Sequence, residues 1–266
     1  MPDTTLLHKH SPASSVKSRA SSSRLNSSRK HAESLHNQIK TYPLYATLAM
    51  QIPTTPPDRA DEPFPDHHDD LAATLKFAWQ MVGRGVQDRR SAFHTPVLAT
   101  QSADGPQARV LVLRAFDLAA RVMTFHTDTR SAKMPELATD DRAALTFYDA
   151  ARKTQLRVNG IARVHAGDAL AHHRWVGSRP SSLRCFLGAP PGSVSPQPTS
   201  GLPLHLEGRE PEVAELQAGE PHFAVLQIAI QRLEWLHLHT RGQRRALFSW
   251  ADDSATSGCM MQWLNP

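Results

Sequence analysis

From Asp69 onward the apolar positions follow two periods in turn. Leu71, Leu75, Ala78, Trp79 and Val82 recur at the spacing of one helix face, and Gly83 and Gly85 are expected to end that helix. Short β-type runs come next. Residues 94–100 and 108–116 flank Ala103-Asp104-Gly105, a hairpin signal. Further strands are predicted over residues 122–127, 144–148, 155–164, 224–230 (continuing to Leu238) and 245–250. Helices are predicted over residues 131–138 and 168–176, and the Gly- and Pro-rich residues 188–203 read as a loop. Many short strands with few helices point to a mostly β fold, a barrel carrying peripheral helices.

Before Asp69 the pattern is lost. Residues 11–30 are Ser-rich and basic with almost no large apolar side chain, too little to offset the entropy of ordering. Pro53, Pro56, Pro57, Pro63 and Pro65 mark an irregular linker. The expected organisation is therefore a disordered tail and linker over residues 1–63 and one folded domain over residues 64–266. The tail composition also fits an organelle transit peptide, and a start of translation at Met50 would remove most of it. No amphipathic Arg-bearing helix is evident, which favours the readings without targeting. The expected location is cytoplasmic, or organellar if the tail is a transit peptide.

Charge changes the picture only once it is located. The net charge is +5, and residues 1–49 alone hold seven basic and two acidic side chains. The remainder is formally neutral, whereas a domain that binds nucleic acid concentrates positive charge on its folded part. No nucleic-acid partner is expected. The longest apolar run, residues 223–230, is strand-sized and contains Gln227, far short of the roughly 20 residues that span a bilayer. Cys185 and Cys259 are too few for a disulfide framework or a thiolate metal site; two free thiols in a reducing compartment or a single bridge both remain open.

Four segments carry candidate chemistry. Arg109-Val-Leu-Val-Leu-Arg114 is an apolar strand with a cation at each end. In residues 125–133 a strand hands over to a helix through Thr127, Ser131 and Lys133. Gln155-Leu-Arg-Val-Asn-Gly160 is the third segment, and Trp235 with Arg245 the fourth. Free backbone N–H groups, hydroxyls and an ammonium at a strand-to-helix junction make a cradle for a phosphate, to which Arg109 can add a bidentate contact. Taken singly, each segment reads as charge solvating a strand end. His67-His68, His172-His173 and His237-x-His239 lack acidic or thiol partners at ligand spacing, so ordinary histidines are expected and no metal. Trp79, Trp175 and Trp250 read as packing residues. No Gly-rich dinucleotide or P-loop motif and no nucleophile elbow is present.

Together these segments resemble the pyridoxamine 5′-phosphate oxidase family of FMN-binding split barrels, and most closely its less characterised FMN-binding branch. The likeness runs from about Ala92 to Pro266 through RVLVLR, FHTDTRSAK, QLRVNG, SRP, WLHLHTRGQRRALF and the terminal WLNP. It implies an FMN cofactor and a homodimer with a flavin at each interface. Arg109, Val110, Leu111 and Arg114 would lie along the flavin, with His126 and Thr127 in contact. Ser131 and Lys133 would hold its phosphate, Gln155 would bond the ring edge, and Trp235 and Arg245 would complete the pocket. Arg114, Trp175, Arg179 and Arg241 would face a small-molecule substrate. The departures lie mostly on that side. Trp175 and Leu183 stand where the vitamin B6 oxidases carry Tyr and Ser, Gln243 replaces a His, and Ala132 replaces an Arg on the flavin side. A bulkier, more apolar substrate pocket follows as an expectation, with pyridoxamine 5′-phosphate a poor substrate. A shift of register would bring Ser181 or Ser182 to the place of Leu183. An FMN-dependent oxidoreductase is the leading function; a flavin binder without turnover, or a split barrel holding haem or deazaflavin, are the alternatives.

Because the tail carries the whole net charge and no apolar periodicity, a chain beginning at Met50 is expected to fold, bind flavin and dimerise like the full chain. Size-exclusion and flavin content of the two decide it; a monomeric or colourless shorter chain would give the tail a structural role.

Overall fold

The computed structural model describes residues 64–251 and 258–266, so the expected tail and linker over residues 1–63 lie outside the described residues. Asp70 opens the first helix, α1 (Leu71–Gln87). Its carboxylate accepts the Ala73 N–H at 2.7 Å and satisfies a donor that a helix start leaves free. The helix does not stop at Gly83 or Gly85 as expected but runs on to Gln87. Gly85 serves packing instead. A Cβ there would lie 2.5 Å from the carbonyl oxygen of Phe93, in the 3-10 turn Ala92–His94 that follows the helix. His94 Nδ1 sits 2.7 Å from the Gly85 carbonyl oxygen and ties the same turn down.

The hairpin forms as predicted, with β1 (Val97–Ser102) and β2 (Gly105–Val110) paired around Ala103 and Asp104. The single strand expected over residues 108–116 does not form. β2 ends at Val110, and β3 (Leu113–Asp117) starts afresh beside β4 (Val122–Asp128). The run is apolar across the break, so its periodicity gave no sign that its halves belong at opposite ends of the sheet order. The remaining elements are α2 (Lys133–Thr139), β5 (Arg142–Asp149), β6 (Thr154–Ala166), α3 (Ala169–Val176), α4 (Pro180–Leu183), α5 (Val213–Leu216), β7 (Phe223–His237), β8 (Arg244–Trp250) and β9 (Cys259–Leu264). β9 was not predicted; its side chains lie mostly exposed and show no alternation. Cys185 and Cys259 are both free.

Among the described residues all nine strands join one antiparallel sheet, in the order β2-β1-β5-β6-β7-β4-β3, with β8 on β7 and β9 on β8. β7 is where the sheet divides. β6 pairs with almost its whole length, β4 pairs with its first half (Phe223 to Ala229), and β8 pairs with its second (Arg232 to His237). Between the halves, Gly160 of β6 faces Ile230 while Asn159 faces Arg232, so Gln231 is an extra residue. Such a bulge bends the strand and exchanges its faces. Ile230 and Leu233, which regular alternation would place on opposite faces, therefore both enter the main core.

That core fills the barrel with Leu98, Phe125, Leu145, Leu156, Leu226 and Trp235, closed by Ala78, Met81 and Val82 of α1. A second cluster packs Trp175 of α3, Leu183, Phe186 and Leu216 against Phe223 and Val225, the other face of early β7. At the opposite end of β7 the entry segment folds over the barrel mouth. Phe64 stacks on His68 at 4.3 Å between centroids and meets His239 at a tilt at 4.5 Å; His67 stacks on Phe77 at 3.9 Å, and His68 meets His237 edge-on at 5.1 Å. Arg244 then bonds Asp69 at 2.7 Å. Among the described residues no three His, Cys, Asp or Glu side chains converge closely enough to hold a metal ion, and no helix is long and apolar enough to cross a membrane.

Two outcomes follow. A methyl group at Gly160 would come within 2.0 Å of the Ala229 carbonyl oxygen. Gly160→Ala is therefore expected to cost at least about 2 kcal/mol in urea unfolding, and an unchanged midpoint would show that the bulge is not tightly held. Burial, reinforced by neighbouring His68 and His239, also pushes the His237 imidazole down to about 4 from 6.5. The unfolded chain thus binds more protons between those values, so stability is full above about pH 6.5 and falls as the pH drops toward 4. His237→Gln should flatten the loss between pH 6.5 and 4; an identical slope would mean that other groups govern it.

Candidate functional site

The cradle read from residues 125–133 is assembled. β4 ends at Asp128, the chain turns, and the first residue of α2 is Lys133. Its ammonium donates to Thr127 Oγ1 and to Ser131 Oγ, both at 2.9 Å, and both hydroxyl residues are buried. Burial in the first place, and the Arg109 charge in the second, hold the Lys133 pKa below its usual value. An anion set among these groups would relieve both penalties. Arg109 reaches the cluster from β2, but not as a free cation. Its guanidinium donates to Glu136 of α2 at 2.8 Å and to the Thr100 hydroxyl, which itself bonds Glu136. Glu136 was not foreseen; it lies one helical turn beyond Lys133, where only the packing of α2 on β1 brings it to Arg109. The Arg130 and Asp128 side chains pair with each other at 2.7 Å, and the Asp128 carbonyl accepts the Ser131 hydroxyl at 2.7 Å.

One residue back along β4 the environment changes. His126 lines a cavity of about 490 Å³ together with Arg114, Arg174, Arg179, Arg89 and Ser182. A β-bulge positions Arg114: Leu113 faces Phe125 and Ala115 faces Thr124, so Arg114 falls outside the ladder. Bulges of this kind re-aim a side chain beside a functional site. The atoms Arg114 Nε, Arg174 Nε and His126 Nε2 are buried without a partner. Burial and the charges of Arg114 and Arg174 push the His126 imidazole down to about 4, so it is neutral at pH 7.

Trp175 and Leu183, expected beside the substrate, do not line this cavity. Trp175 is 6 % exposed and Leu183 3 %, and both pack into the second core cluster. On α3, Ala171 and Trp175 share the core-facing stripe, which turns Arg174 toward the cavity. On α4, Leu183 faces inward and Ser182 takes the place at the cavity wall. The hydroxyl is thus present, one residue earlier. Ser182 is one of the two serines that the shifted register allowed, whereas Arg174 and Arg89 were not among the expected residues; helical spacing around Trp175 was the available signal for Arg174.

The other expected contacts lie elsewhere on the chain. Gln155, Leu236 and Arg245 form one cross-strand row over β6, β7 and β8. Arg245 pairs with Glu234 at 2.9 Å, and Arg157 shares that carboxylate at 3.1 Å. Trp235 points to the opposite face and is fully buried in the barrel, edge-on to His67 and His68. Arg241 lies 4.7 Å over the Phe64 ring, its backbone N–H donating to His239 Nδ1 at 3.1 Å. Val110 is exposed and Leu111 half-buried at the break after β2.

Comparison with known proteins places this arrangement. The sequence model described as pyridoxamine 5′-phosphate oxidase, FMN-binding domain, matches residues 77–166, which contain β1 to β6 and the cradle. A pyridoxine/pyridoxamine 5′-phosphate oxidase of Bordetella avium is 45 % identical over 86 residues, 31 % of this chain and 40 % of that relative's length. One from Burkholderia vietnamiensis is 31 % identical over 181 residues, 65 % of this chain and 79 % of the relative. Among solved structures, a pyridoxamine 5′-phosphate oxidase-related, FMN-binding protein of Nostoc punctiforme superposes with a TM-score of 0.56 at 23 % identity, covering 74 % of this chain and 99 % of its own. PhzG of Burkholderia lata gives 0.54 at 18 %, covering 77 % and 98 %. The barrel divided at β7 is the split-barrel fold of those structures, its cofactor is FMN, and the chain belongs to the pyridoxamine 5′-phosphate oxidase family of FMN-binding proteins.

Proposed function

We propose that this protein is an FMN-dependent oxidoreductase acting on a small anionic molecule. The observation that carries the reading is the junction on β4, where Thr127 belongs to the Lys133 cradle and the adjacent His126 to the arginine-lined cavity. The donors suit the cofactor: a half-buried ammonium and two buried hydroxyls for its phosphate, with the unpartnered Nε–H of Arg114 and the unpartnered His126 Nε2 beside it. FMN supplies reversible two-electron chemistry when bound, so the chain need offer neither nucleophile nor acid–base pair. Its residues would instead bind and orient. Lys133, Ser131, Thr127 and Arg109 would hold the flavin phosphate. Arg114 and His126 would flank the ring, and Arg114, together with Arg179 and Ser182, would also meet the substrate's charge.

A second copy would complete the site. Thr127 pairs with Ala224 of β7, while Gln155 and Arg245 align with Leu236. The two positions on β7 lie roughly 35–40 Å apart along an extended strand. One flavin reaching both sets within a single chain is incompatible with that separation. Half-exposed Tyr148 continues the Gln155 row on β5, as a face that meets another copy would, and a closed pair is the commonest assembly. Released-flavin absorbance and sizing test both parts: a colourless monomer would remove this reading, and stopped-flow reduction by NADH or NADPH separates an enzyme from a passive binder.

A narrower reading is the oxidase reaction after which the Bordetella and Burkholderia relatives are called. Ser182 favours it, because it restores the hydroxyl that Leu183 was expected to remove. Gln243 in place of a histidine opposes it. Steady-state oxidation of pyridoxamine and pyridoxine 5′-phosphates decides: micromolar KM would support the narrower reading, in the range usual for an enzyme and its own substrate, and no turnover would leave only the broader one.

Lys133→Ala is expected to weaken FMN binding roughly tenfold to a hundredfold, the loss of one charge-assisted bond. Arg109→Ala should cost less, because Glu136 already compensates much of that charge. Fluorescence titration with FMN reads both; parental affinity in both variants would place the phosphate elsewhere.

A further inference from the structure

The cavity beside His126 holds more positive charge than one phosphate can balance. Arg89 leaves the end of α1, Arg114 stands on the β3 bulge, Arg174 ends α3, and Arg179 caps α4. All four line the cavity, and among the described residues no Asp or Glu does. Several partly buried arginines elsewhere are matched by a carboxylate: Arg130 by Asp128, Arg109 by Glu136, Arg245 by Glu234. Arg89 and Arg179 are exposed and keep their hydration, but Arg114 and Arg174 are half-buried with an unpartnered Nε each, and burial first, then the charge of Arg89, lower the Arg114 pKa. His126 adds a neutral ring, not a charge, and Ser182 a hydroxyl. A phosphate monoester brings about two negative charges. That leaves half of the cationic lining unmatched.

We propose that the substrate carries at least two separate anionic groups, such as a phosphate and a carboxylate, and that Arg174 and Arg89 select for the second. This rests on the reading of the cavity as the substrate site, and it goes beyond it by specifying the charge of the substrate and two residues that recognise it. Arg114, Arg179 and Ser182 form the subsite for the first anion. The unpartnered Nε of Arg174, on the α3 wall, marks the second.

The test is calorimetric titration of the FMN-loaded full chain, at fixed physiological ionic strength, with inorganic phosphate, glycolate and 2-phosphoglycolate. The phosphate–carboxylate compound is expected to bind at least about tenfold more tightly than phosphate, the increment of one further charge-assisted contact. Arg174→Ala should abolish that preference and Arg174→Lys retain part of it, with FMN content unchanged. Exposed Arg89→Ala is a second variant should the Arg174 change impair folding, and Lys76→Ala, exposed on α1 about three turns before the cavity-lining Gln87, controls for net charge. Equal affinity for phosphate and phosphoglycolate, or an Arg174→Ala protein that keeps the preference, overturns the inference. Loss of FMN from the parent chain would instead overturn the flavoenzyme reading, since flavin content is measured separately.

Discussion

β7 is buried on both faces over its first half and serves the barrel over its second, and most of the architecture follows from that double duty. Phe223 and Val225 close one core while Leu226 and Ile228 enter the other. A strand that continued regularly would turn Leu233 and Trp235 out of the barrel. The extra residue at Gln231 prevents this, and the bulge is possible because Gly160 leaves room for the Ala229 carbonyl. From there β4 and β8 diverge on the same side of β6, which sets the Thr127 end of the molecule apart from the Arg245 face.

The two basic regions near β4 differ in how their charge is held. In the cradle, Lys133 is wrapped by hydroxyls and Arg109 is braced by Glu136, so the geometry is set before an anion arrives. Preorganised donors lose little on binding, which suits a cofactor that stays. In the cavity the guanidiniums have no carboxylate among the described residues to brace them, and buried N–H groups of Arg114 and Arg174 go unused. Donors left open in this way suit a ligand that comes and goes.

The mostly β fold, its hairpin and most of its strands were legible from periodicity, because half-buried strands and amphipathic helices carry their burial in the order of residues. The cradle was legible for the same local reason: Thr127, Ser131 and Lys133 are separated by a single turn. The break after Val110 was not, since both halves are apolar and differ only in which strand each pairs with. Nor was the meaning of Gly85, where a helix stop and a close contact read alike in sequence.

What the sequence by itself determined was thus the local chemistry, the family likeness and the confinement of net charge to the tail. Tertiary structure alone decided which side of each short helix faces the core. It put Trp175 and Leu183 inside and Arg174 and Ser182 at the cavity. It also brought Arg89, a surface residue by its sequence, to within the field of Arg114. The reason is physical. Periodicity reports that a residue is buried, whereas the charge of a cavity depends on which distant elements converge on it, and that is settled by packing between segments far apart in the chain.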